Sequence, residues 1–471
     1  MVSRNRSSTG GARRLALPLA AMLAAASGCV LKSPPDTAAL KADALPAVQV
    51  PSAWTATATG SVAAADNWLG SFADPQLTAA VDEAMLHNAD LRVGAARVEQ
   101  SLLYARLAGA RLYPSVDVLA RGGGKMSGDN SGLNGAWLTV GWELDLWGRV
   151  RYGRAAARAD AGSTQADFEF ARQSIAARVA RSWFLATEAT LQADLARRTI
   201  GDAEGLVQLA GDRARVGVGN EEEVFVARAA VGTYRDSLRQ IELAREQAIR
   251  GLESLLGRYP SGAAAVTAQL PAQRTDVPAG LPSQLLERRP DVIAAERRVA
   301  AAFNRIGEAK AARLPVIGLT TSVSTVSSDL FVLQSRDNPV WSLGANLLVP
   351  IFRGGALKTQ VEIRTAEQKQ AVAAYAAVGL QAFSEVEAAL SAELAARDRE
   401  HILAATLADN RRALEIVQSQ FAVGSTDLRF VTQRQLGLLA TESALIRVQA
   451  EQRVQRVNLH LALGGSFAPS P

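Results

Sequence analysis

Cysteine occurs once in this chain of 471 residues, at Cys29. That excludes a disulfide framework and any cysteine-built zinc or iron–sulfur site. Histidine is almost as scarce. His87, His401 and His460 are scattered, so neither a histidine metal cage nor a His-based catalytic centre is expected. Aromatic residues make up only 5%, while alanine, arginine, glutamate and glutamine recur throughout, a helix-forming vocabulary. No Gly-x-Ser-x-Gly elbow, His-Glu-x-x-His motif, Walker loop or dinucleotide fingerprint is present. Gly122-Gly123-Gly124-Lys125 is followed by Met126 where a phosphate loop needs Ser or Thr, and reads instead as an outward hairpin turn. Acids and arginines are spread over helices rather than gathered near a nucleophile, so no enzyme activity, cofactor or metal is expected. Net charge is +5, but residues 1–28 hold Arg4, Arg6, Arg13 and Arg14 and no acid. Subtracting those four from 51 basic residues leaves 47 against 46 acidic ones, a near-neutral body with no call for a nucleic-acid partner.

Length alone suggests about two to four domains. The four arginines precede a short apolar stretch, Leu15 to Ala26, and then Ser27-Gly28-Cys29. A charged start, an apolar run too short to span a bilayer and small residues at the cut site describe an export signal over 1–28. With Cys29 directly after the cut, the segment resembles a bacterial lipoprotein signal, although Ala26 stands where such signals usually have leucine. The resemblance implies that Cys29 is lipidated; acyl chains contribute about 0.8 kcal/mol per buried methylene. Residues 29–65, rich in Pro, Ala, Ser and Thr, read as an extended leader.

The remainder is one pattern written twice. Asn88-Ala89-Asp90-Leu91 opens a helical stretch that stops at Leu112-Tyr113-Pro114, and Arg289-Pro290-Asp291-Val292 opens another that stops at Arg313-Leu314-Pro315, 201 residues on. Val216-Gly217 corresponds to Val423-Gly424, and Leu256-Gly257 to Leu463-Gly464, both displaced by 207. One insertion between these landmarks explains the drift, and the whole is a tandem duplication. Each half reads as helix, hairpin, very long helix, helix: 66–260 with a hairpin over about 115–147, a linker 261–281, then 282–465 with a hairpin over about 315–352 and a tail 466–471. No proline falls between Pro114 and Pro260 or between Pro350 and Pro469. The gaps permit helices from about Val150 to Arg213 and Gly355 to Gln420, each about 95–100 Å long. Apolar residues spaced by threes and fours, such as Leu407, Leu414, Val417 and Phe421, then Leu436, Leu439, Ile446 and Ala450, predict side-by-side coiled-coil-like packing.

The hairpin strands alternate. Leu138, Val140, Trp142, Leu144 and Leu146 alternate with Trp137, Thr139, Gly141, Glu143 and Asp145; Trp341, Leu343, Ala345, Leu347, Val349 and Ile351 alternate with Val340, Ser342, Gly344, Asn346, Leu348 and Pro350; Ile317, Leu319 and Val323 alternate with Gly318, Thr320, Ser322 and Ser324. Strands of about 9–12 residues with one apolar face suit a lipid-facing barrel. Four of the seven tryptophans, Trp137, Trp142, Trp147 and Trp341, fall there, as an interfacial girdle requires. Backbone in lipid must be fully paired, and four strands cannot close a barrel, for which the smallest type has about eight. Other copies must supply the rest: two give eight strands, three give twelve.

Trp68-Leu69-Gly70-Ser71-Phe72-Ala73-Asp74-Pro75-Gln76-Leu77, Leu285 through Arg298 (LLERRPDVIAAERR), Arg305 through Pro315, Leu255-Leu256-Gly257 and Ala462-Leu463-Gly464-Gly465 carry a family likeness. Over about 66–467 the chain resembles the TolC/OprM-like outer membrane efflux proteins, of the NodT lipoprotein type that serve RND efflux systems. The resemblance implies a mainly α fold with a transmembrane β part: a homotrimer whose twelve-stranded barrel in outer membrane lipid is continuous with a long periplasmic α-helical tunnel. It implies docking onto a periplasmic membrane-fusion adaptor and an inner-membrane RND pump, with small molecules passing out unchanged. The implied adaptor-contact tips are Val216-Gly217 and Val423-Gly424. Glu223-Val224 with Ala227-Arg228 matches the family's pattern below the first turn, and Asp427 matches an acid three residues after the second glycine. Phe430-Val431-Thr432-Gln433-Arg434 departs from the family's usual run, with Gln433 where aspartate is common. Glu223, Asp427, Arg429 and Arg434 form the preferred gate set, closed by exposed ion pairs worth about 0–1 kcal/mol each. A channel for protein secretion and a periplasmic coiled-coil scaffold are the alternatives.

Overall fold

The computed structural model describes residues 31–56, 66–121, 134–272, 280, 282–327 and 340–467. The export signal, Cys29, the Gly122–Lys125 run and most of both hairpin turns lie outside the described residues. In chain order the elements are α1 (Thr37–Ala44), a 3-10 turn (Trp68–Phe72), α2 (Pro75–His87), α3 (Ala89–Ala110), β1 (Ser115–Arg121), β2 (Asn134–Leu144), α4 (Arg149–Arg215), α5 (Glu221–Leu256), α6 (Pro282–Arg288), α7 (Pro290–Ala311), β3 (Val316–Ser327), β4 (Val340–Leu348), α8 (Ala356–Ala422) and α9 (Leu428–Ala462). The 29–65 leader is not wholly extended, since α1 interrupts it and buries Leu40.

The duplication is reproduced in element lengths. α3 and α7 each have 22 residues, α4 and α8 each 67, and α5 and α9 have 36 and 35. Ser115 to Val316 is a step of 201, Asn134 to Val340 of 206 and Arg149 to Ala356 of 207. The inserted residues therefore lie almost entirely inside the hairpin. β2, β3 and β4 have 11, 12 and 9 residues, within the expected length, but β2 ends at Leu144 and β4 at Leu348, short of the expected hairpin bounds. Asp145 accepts hydrogen bonds from the Val150 and Arg151 amides, both at 2.9 Å, and so caps α4 instead of extending β2. Pro350, which has no amide to donate, follows the end of β4.

The described residues fall into two compact units. One comprises residues up to Ala47, Arg97–Gln165 and Ala294–Ala377; the other comprises Val48–Ala96, Ala166–Ile293 and the chain from Val378 onward.

The first unit carries a four-stranded antiparallel sheet in the order β1-β2-β3-β4. Directly opposed residues share a face. Its register therefore lines up rows across the strands: Val118, Leu138, Val323 and Trp341; Val116, Val140, Thr321 and Leu343; Trp142, Leu319 and Ala345; Leu144, Ile317 and Leu347. The opposite face carries Asp117, Thr139, Ser322 and Ser342, then Ser115, Gly141, Thr320 and Gly344, then Glu143, Gly318 and Asn346. Two tryptophans depart from a girdle on the apolar face. Trp137 stands on the polar face across from Leu119, and Trp147 lies beyond β2, its indole donating to the Pro315 carbonyl at 2.7 Å.

The second unit holds the main core. Trp68, Leu69, Phe72, Leu77 and Val81 pack with Ile175, Val179 and Phe184 of α4, Leu252 and Leu256 of α5, and Val457 and Phe467. Asp74 caps α2 through the Gln76 and Leu77 amides and accepts from the Trp183 indole at 3.0 Å, so the opening motif is a packing device. Along α9 the buried stripe includes Leu428, Val431, Val448, Val457 and Leu459, whereas Leu436, expected inside, is exposed. Leu439 packs against Ala203, Val231 and Tyr234.

The two halves are fastened alike. Asn88 caps α3 through the Asp90 and Leu91 amides and donates to the Leu255 carbonyl at 2.9 Å. Its counterpart, Arg289, donates to the Ala462 carbonyl at 3.0 Å and to Asp291 and Glu385, both at 2.7 Å. Each contact ties the start of one helix to the Leu-Gly stop of the same repeat. At that stop, a Cβ on Gly257 would lie 2.8 Å from the His87 carbonyl oxygen, so the backbone approach itself requires glycine.

Candidate functional site

Two helix–turn–helix tips lie within the second unit. In the first, α4 ends at Arg215, and the Val218 and Gly219 amides return to the Arg213 carbonyl, both at 3.0 Å. Asn220 caps α5 by accepting from the Glu223 amide at 2.9 Å. In the second, the Ser425 amide returns to the Gln420 carbonyl at 2.9 Å, and Asp427 caps α9 by accepting from the Arg429 amide at 3.2 Å. Gly217 and Gly424 have φ of +79° and +78°. A Cβ on Gly217 would meet nothing within 4 Å, so only the left-handed backbone demands glycine there, and the space beyond is open.

A small core holds the tips together: Ala210, Ala227, Leu414, Phe421, Leu428 and Val431 are buried against one another. Outside it, Val216, Val218 and Val423 are 70%, 65% and 80% exposed. Phe225 and Phe430 are exposed as well, and the Arg228 guanidinium lies 6.0 Å from the Phe225 ring centre. The tip is thus a mixed surface around two glycine turns, its valines and phenylalanines exposed beside Asp212, Arg215, Arg228 and Arg429. Val216 and Val423 each lie in the turn between two helices.

Of the four gate candidates, the structure brings two together. Arg429 and Asp427 pair at 3.1 Å within one chain. The Arg429 amide and guanidinium hold the Asp427 carboxyl below its usual range. Glu223 lies on the other tip, one carboxylate oxygen buried without a hydrogen-bond partner, in the space a Cβ on Gly219 would crowd at 3.0 Å. Arg434 is exposed farther along α9.

Arg213 is the tip residue that motif reading misses. It donates to the Phe421 carbonyl at 2.6 Å and to the Val218 carbonyl at 3.2 Å, and its guanidinium stacks 4.4 Å from the Phe421 ring centre. One side chain of the first tip therefore grips the backbone of the second. The signal was an asymmetry: 207 residues on, the duplicate has Gln420 in its place. Among the described residues there is no group of three or more His, Cys, Asp or Glu side chains able to hold a metal.

Comparison with known proteins agrees with this architecture. The family model described as outer membrane efflux protein matches residues 80–258 and 281–465, one match per repeat. The cation efflux system protein CusC of Escherichia coli O6:H1 is 30% identical over 436 residues, 90% of this chain and 94% of that protein. The pyoverdine export outer membrane protein OpmQ of Pseudomonas aeruginosa is 30% identical, covering 88% of this chain and 91% of its own. Among solved structures, the outer-membrane channel OprN superposes with a TM-score of 0.79 at 26% identity, over 90% of this chain and 99% of that one. The open state of the Neisseria gonorrhoeae MtrE outer membrane channel gives 0.80 at 26% identity, over 93% and 98%. Twofold matching of the family model, near-complete coverage by relatives and a shared channel fold place the chain in the outer membrane efflux protein family.

Proposed function

We propose that three copies of this chain form the passive outer-membrane conduit of a tripartite, RND-type efflux pump that exports small molecules. The observation that carries this reading is the sheet. Its largely apolar face, interrupted by Thr321, runs across four strands, and β1 and β4 each have one strand neighbour among the described residues. Exposed to lipid, those edges need partners, and neighbouring copies supply them; three sets of four strands make a twelve-stranded barrel. The exposed valines and glycine turns of the two tips suit close approach by a periplasmic adaptor, with the inner-membrane pump beyond it. α4, α5, α8 and α9 provide the tunnel walls. The decisive experiment is extraction followed by mass measurement of the intact assembly. A complex of three subunits that resists carbonate and needs detergent is expected; a water-soluble single copy overturns the proposal.

The N-terminal pattern supports anchoring through acylated Cys29. Cys29→Ser is expected to lose radiolabelled palmitate while still assembling, and persistent label rules the anchor out.

For the gate, Glu223, Asp427, Arg429 and Arg434 repeat around the threefold axis, with Arg213 holding the paired tips in register. Asp427→Lys removes a helix cap and an exposed ion pair, and Arg213→Met removes two hydrogen bonds to carbonyls, each worth about 1–3 kcal/mol. Both variants are expected to raise leak conductance several-fold in planar bilayers. Unchanged conductance in Asp427→Lys takes that residue out of the gate.

A further inference from the structure

At the sheet end opposite the hairpin turns, within the first unit, lies a cavity of about 390 Å³ lined by Lys32, Trp147, Tyr152, Ile306, Lys310 and Leu314, among others. Its position is fixed locally. Leu314 precedes β3, and the Trp147 indole is bonded to the Pro315 carbonyl, so the cavity opens where β2 ends and β3 begins. Gly307 admits the Tyr152 ring onto α7, because a Cβ there would sit 2.6 Å from two ring carbons. The Tyr152 hydroxyl in turn accepts from the Lys32 amide at 3.0 Å, drawing the leader onto the cavity lip. No acidic side chain lines it, and neither lysine ammonium has an ion-pair partner among the described residues.

Two unneutralised cations over an apolar floor with a tryptophan and a tyrosine is the composition of a membrane-interface headgroup site. Complementing the dipole at the end of α7 accounts for Lys310, at about 0.3–1 kcal/mol, but leaves Lys32 unexplained. We infer that this cavity binds an anionic phospholipid of the periplasmic leaflet, its phosphate between Lys32 and Lys310 and the upper part of an acyl chain against Trp147, Ile306 and Leu314. The inference rests on the proposed placement of the sheet in the membrane. Charge complementarity selects the occupant: a zwitterionic lipid carries its own cation, which the two ammonium groups repel.

The test is native mass spectrometry of the full-length, delipidated assembly titrated with dioleoylphosphatidylglycerol or dioleoylphosphatidylcholine. One phosphatidylglycerol per subunit is expected, bound in preference to phosphatidylcholine. Lys32→Gln with Lys310→Gln is expected to weaken binding about thirtyfold, and Lys32→Arg with Lys310→Arg to restore it. Equal retention of the two lipids, or undiminished retention by the Gln variant, overturns the inference. So does phosphatidylglycerol binding that appears only in Cys29→Ser, since the protein's own acyl chain is then the occupant. Protein mass in the same spectra reads the assembly separately: a soluble monomer defeats the channel proposal, whereas a trimer without lipid preference defeats only the headgroup site.

Discussion

Removing the two carboxylates around Arg289 is expected to damage the protein more than removing Arg289 itself. The Arg289 side chain is 2% exposed, while Asp291 and Glu385 keep 21% and 41% of their side-chain surface in solvent. Asp291→Ala with Glu385→Ala leaves a guanidinium buried beneath Phe170 and the Ala462 carbonyl with no counter-charge, a loss of about 3–5 kcal/mol per subunit. Arg289→Met leaves carboxylates that water can solvate, and forfeits mainly packing and hydrogen bonds, about 1–3 kcal/mol. Thermal unfolding in detergent checks the order: wild type above Arg289→Met, and Arg289→Met above the double variant. A reversed order shows that the carboxylates, not the guanidinium, bear the desolvation cost.

A charge on the apolar face of the sheet is expected to be nearly as costly. Leu343 shares its row with Val116, Val140 and Thr321, and neighbouring Ser342 points the other way, its hydroxyl 2.6 Å from that of Ser322. Leu343→Arg places a guanidinium toward lipid, at about 2–4 kcal/mol per subunit near the midplane. In the proposed trimer that loss is multiplied, so folded, heat-resistant assembly in vesicles should fall steeply. Ser342→Arg faces the wet side and is expected to assemble normally while altering conductance and ion preference. Equal tolerance of both substitutions contradicts the assignment of the faces.

Much of this architecture was legible because long-range order here is written locally. Proline-free stretches of helix formers gave α4 and α8 to within two residues, since nothing inside them competes with helix. Strict alternation gave the sheet faces, which the register then aligned across both repeats. Strand ends were less legible. Asp145 and Trp147 fit the alternating pattern, but the carboxylate is worth more as the cap of α4, and the indole finds its acceptor at Pro315. Periodicity also put Leu436 inside, because a helix packed on several neighbours has no single dry stripe, and the buried path along α9 takes in Gln435, Thr441 and Gln452. At the tips, Val216-Gly217 and Val423-Gly424 were visible as turns. Asp427 and Arg429 form a pair within the chain. Arg213 stayed hidden because its hydrogen bonds go to carbonyl oxygens, which no residue code reveals, and its ring partner Phe421 lies on the other tip.

Laid over one another by residue identity, the two halves score Asn88 against Arg289 as a mismatch, an amide facing a guanidinium. Mechanically they are the same bolt, each fastening a helix start to the carbonyl end of its own repeat. What descended from the single ancestral repeat at this joint is a contact rather than a letter, so internal symmetry in such chains outlives its spelling.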